Sequence, residues 1–346
     1  MDIKVIAFYL PQYHETEENN RWWGNGFTEW SNMKAAQQLF QDQYQPRQPL
    51  NDYYYDLTDV ETLKWQVSLA KDYGVYGFCM YHYWFNGKKL LQKPLELYLE
   101  SKELDLPFCI CWANENWSRS WNVRKDTDIL IKQNYGDERE WKAHFDYLYP
   151  FLSDSRYIKR NGKPLLLLYR PEHIPQLRLR LEFWNNLAIQ YGLPGIAYAS
   201  QQIDYNVELD DAGDLFSYQI EYQPAFIRNK LMSCFEVRNE VKCVDYDNAW
   251  NAVLHQPPLN AKSIPGAFVD WDNTPRKGNN GVAFFNATPE KFYYYMKQQL
   301  LRTMNCYYTD MLFLFAWNEW SEGGYLEPDK RWHYGYLEKL RQLLKN

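Results

Sequence analysis

Near the C-terminal end of the chain, the stretch AWNEWSEGGYLEP (316–328) sets two glutamates, Glu319 and Glu322, three residues apart. Around them stand two tryptophans, an asparagine and a Gly-Gly pair, and the run before them, MLFLFAW, is apolar enough for a strand buried on both faces. Carboxylates at the end of such a strand suit chemistry in which one carboxylic acid gives a proton and another carboxylate acts as base or nucleophile. Cleavage of a glycosidic bond is of this kind. Spacing alone leaves the pairing open. Residues three apart on one loop need not approach a sugar from opposite sides, so Glu322 paired with Glu115 or Glu221 is the alternative, and a mere capping or ion-pair role for both glutamates is another.

Composition narrows the ligand. Fifteen Trp, 30 Tyr and 18 Phe make up 18% of the 346 residues, yet the mean hydropathy is −0.65, so many rings must share surface with polar groups. A sugar has apolar C–H faces and a polar rim, and such a surface fits it; a carbohydrate is the expected partner. The net charge of −6, with no basic run, repels a polyanion, so nucleic acid is not an expected partner. No apolar run approaches the roughly 18–20 residues of a membrane span. Pro11 and Gln12 interrupt the apolar N-terminus, which reads as a first strand rather than a signal peptide, and a cytoplasmic location is expected.

The six cysteines form no C-x-x-C pair and are expected to be reduced and structural. There is no H-E-x-x-H and no Cys/His cluster. The Asp-x-Asp stretches at 245–247 and 270–272 match a divalent-ion pattern, but one that arises by chance in acidic chains. Neither a metal nor a cofactor is expected.

Eight apolar runs can position these groups: 4–10, 75–84, 107–114, 164–170, 195–201, 215–222, 263–272 and 311–320. They are continuous rather than alternating, as in parallel strands covered on both faces. Helical spacing marks 59–73, 93–103, 139–152, 176–191, 289–303 and 332–345 between them. The fifth connection is short (NVELDDAG), and the sixth, 223–262, is long. This order predicts an α/β fold, a (β/α)8 TIM barrel with extended β→α loops. One catalytic domain is expected over 1–346, with a long insertion at about 11–57. A doubly wound sheet would carry a glycine-rich turn after strand one, and FYLPQYH has none.

Barrel active sites are built at the C-terminal strand ends. Seven of the eight runs turn polar and aromatic there, which argues for one shared pocket, although a single ring at a strand end is more often packing. The candidate substrate-binding residues are Tyr9, Gln12 and His14 after strand one, with Trp23 and Trp30 from the insertion. Strand two gives Tyr81, His82, Tyr83 and Trp84; strand three gives Trp112, Asn114, Glu115 and Trp117. Glu221 follows strand six, Asp270 and Trp271 strand seven, and Asn318, Trp320 and Tyr325 strand eight. Trp84 and Trp117 are the expected stacking platforms. A general acid needs a raised pKa, for which Trp317, Trp320 and Tyr325 offer low-polarity surroundings.

FYLPQYH, WGNGFTEW (23–30), YHYWF, CWANENW (111–117) and AWNEWSEGGYLEP together resemble the WbsX-like proteins of surface-polysaccharide gene clusters. That group is similar to glycoside hydrolase family 99, the endo-α-mannosidase family. The resemblance runs from the first strand to the last. It implies a (β/α)8 barrel and an endo-acting hydrolase for an α-linked surface polysaccharide or oligosaccharide, retaining configuration through a 1,2-anhydro sugar. Glu319 would then be the base toward the substrate's own 2-hydroxyl and Glu322 the acid/base, so no carboxylate need lie opposite as nucleophile. Members of the group have also been labelled glycosyltransferases, which makes transfer in O-antigen or capsule biosynthesis the runner-up; no Rossmann-like half or convincing metal motif supports it. A non-catalytic carbohydrate-binding barrel is the third reading, and the intact glutamate pair argues against it.

Overall fold

A computed structural model describes residues 2–118, 129–203 and 209–345. Its barrel strands, in chain order, are β1 (Lys4–Tyr9), β2 (Gly77–Phe85), β3 (Phe108–Trp112), β4 (Lys163–Leu168), β5 (Ala197–Gln202), β6 (Phe216–Glu221), β7 (Ser263–Ile264 and Gly266–Phe268) and β8 (Met311–Phe315). Each is parallel to its neighbours, and β1 pairs with both β2 and β8. The two pieces of β7 are separated only by Pro265, which has no N–H to give to a ladder. The first piece pairs with β6 and the second with β8, while the Pro265 carbonyl still accepts from Phe313 N at 3.1 Å. Nine strand pieces therefore occupy eight positions and the ring closes, as the eight apolar runs predict.

Apart from one turn at Arg228–Leu231, the helices are α1 (Glu17–Trp23), α2 (Glu29–Ala35), α3 (Val60–Tyr73), α4 (Lys93–Glu100), α5 (Glu138–Leu152), α6 (Leu177–Gln190), α7 (Tyr246–Leu254), α8 (Thr274–Lys277), α9 (Pro289–Asn305) and α10 (Gly335–Leu344). The outer helix α3 shows why the periodicity was readable. Asp59 caps its first turn by accepting from Glu61 N, Leu63, Val67 and Ala70 face the barrel, and Gly74 stops it at φ 86°. Each buried Leu or Val contributes about 1.5–3 kcal/mol. Between β5 and β6 a 3-10 turn (Asp210–Leu215) replaces the helix; part of the NVELDDAG segment lies outside the described residues.

Three features were not read from the sequence. Helices α1 and α2 lie within the insertion after β1, α7 lies in the long sixth connection, and a small sheet forms from Glu236–Arg238, Val241–Asp245 and Val282–Phe285. All cysteines are free. Among the described residues, no helix is long and apolar enough to cross a membrane.

Candidate active site

The β8 run ends in a tight hairpin. Asn318 and Glu319 pair antiparallel with Tyr325 and Gly324, around a 3-10 turn at Trp320–Glu322. Side chains at i and i+3 eclipse in such a turn, so a spacing of three brings Glu319 and Glu322 to one side. The Gly-Gly pair makes the hairpin possible. Gly323 sits at φ 72°, and a Cβ on Gly324 would lie 2.2 Å from the Phe315 ring.

The hairpin is held from behind by buried bonds. Asn318 clasps the Leu10 backbone in both directions, at 2.7 and 3.0 Å, and Tyr13 donates its hydroxyl to the Asn318 carbonyl. Asp272 N donates to the Glu322 carbonyl at 2.7 Å, and Arg47 donates to the Gly323 carbonyl at 3.1 Å. Trp320 donates to Glu327 at 2.7 Å, and Glu327 also accepts from Tyr55 and Gln66.

Above the hairpin lies a cavity at the C-terminal mouth of the barrel. Its wall includes Gln12, Trp23, Tyr81, Tyr83, Glu115, Trp117, Glu319 and Glu322 from the expected set. It also includes residues outside that set, among them Glu29, Asn32, Asn116, Tyr169, Tyr222, Arg276 and Lys277. Trp23 at the mouth stacks on Phe27 with 5.5 Å between ring centroids. Trp117 packs edge-on against Tyr83 at 5.1 Å and beside Trp22.

Arg276 organises the charges. Its Nε donates to Glu29 at 2.6 Å, Nη1 to Glu322 at 2.6 Å and Nη2 to Glu319 at 3.3 Å. Burial first, then the neighbouring Glu322 charge, pushes the Glu319 carboxyl up to about 8 against the pull of Arg276. Burial also raises Glu322, opposed by Arg276 and Lys277. Neither carboxylate is free to ionise as in water, because burial and neighbouring carboxylate charge favour the protonated form.

The remaining candidates lie outside the cavity, and strand parity explains most of them. Successive side chains on a strand point to opposite faces. Tyr81 and Tyr83 point inward on β2, so His82 and Trp84 point outward. His82 meets His144 of α5 at 2.9 Å and burial lowers its pKa to about 3; Trp84 stacks flat on His144 at 4.6 Å. By the same rule Phe8 faces the barrel interior while Tyr9 bonds Gln66 of α3. Trp112 packs against His144 and Trp184 under the Arg180 guanidinium. Both faces of these strands are buried, so apolarity could not tell inward from outward.

The other displaced candidates do structural work. His14 is buried and its pKa is lowered by that burial. Trp30 packs on Tyr13 and Trp320 and donates to Tyr55 O. Asn114 clasps the Arg170 backbone. Glu221 accepts from Tyr307 and Leu259 N, which removes it as a partner for Glu322. Asp270 pairs with Arg47, Trp271 packs on Phe315, Asn318 is the backbone clasp, and Trp320 and Tyr325 stack at 3.8 Å. Glu115 does line the cavity, bonded to Arg170 at 2.9 Å.

The two Asp-x-Asp stretches are likewise committed. Asp245 caps α7, Asp247 takes Lys291 and Tyr295, and Asp272 accepts from Gln43, Gln45 and Thr274. Among the described residues no cluster of three or more His, Cys, Asp or Glu side chains is placed to hold a metal ion.

The two platform candidates therefore separate. Trp117→Ala is expected to weaken glycan binding roughly tenfold and, because Trp117 is itself only 8% exposed, to lower the melting temperature as well. Trp84→Ala is expected to leave binding unchanged and cost about 3 kcal/mol of stability. Calorimetric titration beside thermal melts checks both, and the reverse pattern would exchange their roles.

Fold and site together define a (β/α)8 barrel with a pair of glutamates, one buried and one partly buried, at its C-terminal mouth. The model of the family described as "Glycosyltransferase WbsX" matches residues 5–340, and the chain belongs to that family. It is 34% identical over 354 residues to the uncharacterized protein WxcX of Xanthomonas campestris pv. campestris strain B100, covering 98% of this chain and 49% of that protein. The chain thus spans about half the length of the curated relatives it matches. Among solved structures, a glycoside hydrolase-like protein superposes with a TM-score of 0.63 at 11% identity, covering 99% of this chain and 94% of that one. The GH99 endo-α-mannosidase of Bacteroides thetaiotaomicron superposes at 0.59 and 12% identity, covering 100% and 97%. At these identities the likeness shows the shared fold.

Proposed function

We propose that the chain is a retaining glycoside hydrolase, endo-acting on an α-linked surface polysaccharide or oligosaccharide. The observation that carries this reading is the placement of Glu319, buried, and Glu322, partly buried, on one turn, sharing one guanidinium, at the floor of an aromatic-walled cavity. Two carboxylates on the same side of a sugar suit internal displacement better than attack by a protein nucleophile from the opposite face.

In that route Glu319 takes the proton of the substrate's 2-hydroxyl, O2 attacks C1, and the glycosidic C1–O bond breaks as Glu322 protonates the departing oxygen. Water then opens the 1,2-anhydro ring at C1, giving its proton to Glu322, while Glu319 returns a proton to O2. Two displacements at C1 retain its configuration. Internal attack requires O2 to stand trans to the leaving group, so a 2-O-methylated substrate should bind and remain intact.

The pair must carry one proton to act. Activity is expected to fall in acid, as both carboxyls protonate, and again in base, as the last proton leaves a pair whose carboxyls burial holds above the ordinary range. A pH–rate profile still level at pH 10 would remove the general-acid role.

A glycosyltransferase is the second reading, favoured by the family's description. Against it, Asp270 and Asp272 are already engaged by Arg47, Gln43 and Gln45 rather than turned together toward a shared ion. Incubation with bacterial surface polysaccharides, without nucleotide sugars, tests the choice by mass spectrometry. New oligosaccharides from the wild type, absent with Glu319→Gln or Glu322→Gln, support the hydrolase. Chain extension only on adding nucleotide sugars would establish the transferase instead.

A further inference from the structure

Glu29 reaches the site from α2, in the insertion after β1, and its side chain is 2% exposed. Arg276, 9% exposed, comes from α8 after β7. Nothing in the hydrolytic route requires a third glutamate, yet its carboxylate takes the Nε of the guanidinium whose other two nitrogens reach the catalytic pair. The contacts to that pair are unequal: 2.6 Å to Glu322 and 3.3 Å to Glu319.

We propose that Arg276, anchored by Glu29, is a positioning residue that sets which glutamate of the pair is ionised and which holds the shared proton. This rests on the hydrolase reading for its catalytic meaning. In the unliganded site the closer guanidinium contact keeps the charge on Glu322, leaving the proton on Glu319. Hydrolysis as derived above needs the opposite arrangement. A glycosidic oxygen entering beside Glu322 takes the place of Nη1, while the Glu29 anchor and the Nη2 contact to Glu319 remain. Glu322 then becomes the protonated partner and Glu319 the base. The resting enzyme holds its proton on the other carboxyl until substrate arrives.

The groups facing the pair are few. Lys277 adds a positive charge from α8, and no carboxylate lies within ion-pair distance of its ammonium among the described residues. The tyrosines of β2, Tyr13, Tyr169 and Tyr222 are buried phenols with raised pKa values, chiefly from burial, and stay neutral. Glu115 is balanced by Arg170. Removing Arg276 and removing Glu29 should therefore move the pair in opposite directions. Loss of the cation raises both carboxyls, and loss of the neighbouring anion lowers them.

The test is a carboxyl ¹³C NMR titration of glutamate-labelled protein, with signals assigned through Glu319→Gln and Glu322→Gln. In the wild type Glu319 should titrate at higher pH than Glu322. Glu29→Gln should lower the pair's midpoints by about one pH unit, and Arg276→Gln should raise them by at least as much. Arg276→Lys, which keeps the charge, should restore values near wild type. Midpoints that stay put in both variants, or move the same way, overturn the proposal. The readout needs no turnover: opposite shifts without any glycan cleavage would sustain the proton assignment and remove the hydrolase reading. Cleavage whose pH profile is the same in wild type and Glu29→Gln, with unmoved midpoints, would do the reverse.

Discussion

Glu319→Gln and Glu322→Gln should each lower turnover by about 10²–10⁴-fold, the range expected when a positioned acid or base is lost. Glycan binding and the fold should survive, because glutamine keeps the shape and can still accept from Arg276. Both carboxyls have raised pKa values, so at pH 8 the folded protein carries ionised groups that would ionise more readily in the unfolded chain. Stability therefore rises as pH falls through their folded pKa values, and either substitution should leave the melting temperature at pH 8 unchanged or higher. A synthetic glycoside whose leaving group needs no proton, such as a dinitrophenolate, separates the two roles. Glu322→Gln should recover bond cleavage on that substrate, since only acid assistance was lost. Glu319→Gln should not, since the 2-hydroxyl still has no base. Equal recovery in both variants would exchange or erase the assignments, and normal hydrolysis of a natural glycan by both would move the site elsewhere.

The barrel was legible because most of its strands are uninterrupted apolar runs, with β7 broken only at Pro265, and the outer helices carry an apolar stripe. Asp59 and Gly74 bracket α3 in the sequence as they do in the structure. The glutamate pair was legible because polar residues at the end of a buried strand need a reason. What could not be read was direction. His82, Trp84 and Trp112 belong to the same quoted blocks as Tyr81, Tyr83 and Trp117, yet the first three face the helices and the others face the cavity. Arg276 was missed because a lone arginine in NTPRK carries no motif. The one available signal was electrostatic: two buried carboxylates call for a cation from some other loop. Glu29 stood in the quoted WGNGFTEW block, but its neighbours Trp23 and Trp30 drew the attention that aromatic composition invites.

Arg47→Met should be the most destabilising substitution near the site, at about 3–5 kcal/mol. The Arg47 and Asp270 side chains are only 5% and 7% exposed and meet at 2.8 Å. Methionine replaces the aliphatic stem but leaves the Asp270 carboxylate buried without its cation, and the Gly323 carbonyl loses its donor. The pH dependence identifies the cause. Burial already raises Asp270 above its ordinary value despite Arg47, and removing Arg47 raises it further. A carboxyl whose folded pKa exceeds its unfolded one, about 3.9, gains stability as pH falls through the folded value. The deficit of Arg47→Met should therefore be greatest at pH 8 and shrink toward pH 5, as read by urea unfolding at both. Arg47→Met/Asp270→Asn should regain much of the loss at pH 8, because the stranded charge is gone. It should still turn over slowly, because Arg47 also fixes the carbonyl next to Glu322 and so the turn on which both glutamates stand. A double variant with full stability and full turnover would reduce Arg47 to a counter-ion and leave the hairpin to be held by Asn318, Tyr13 and the Asp272 backbone.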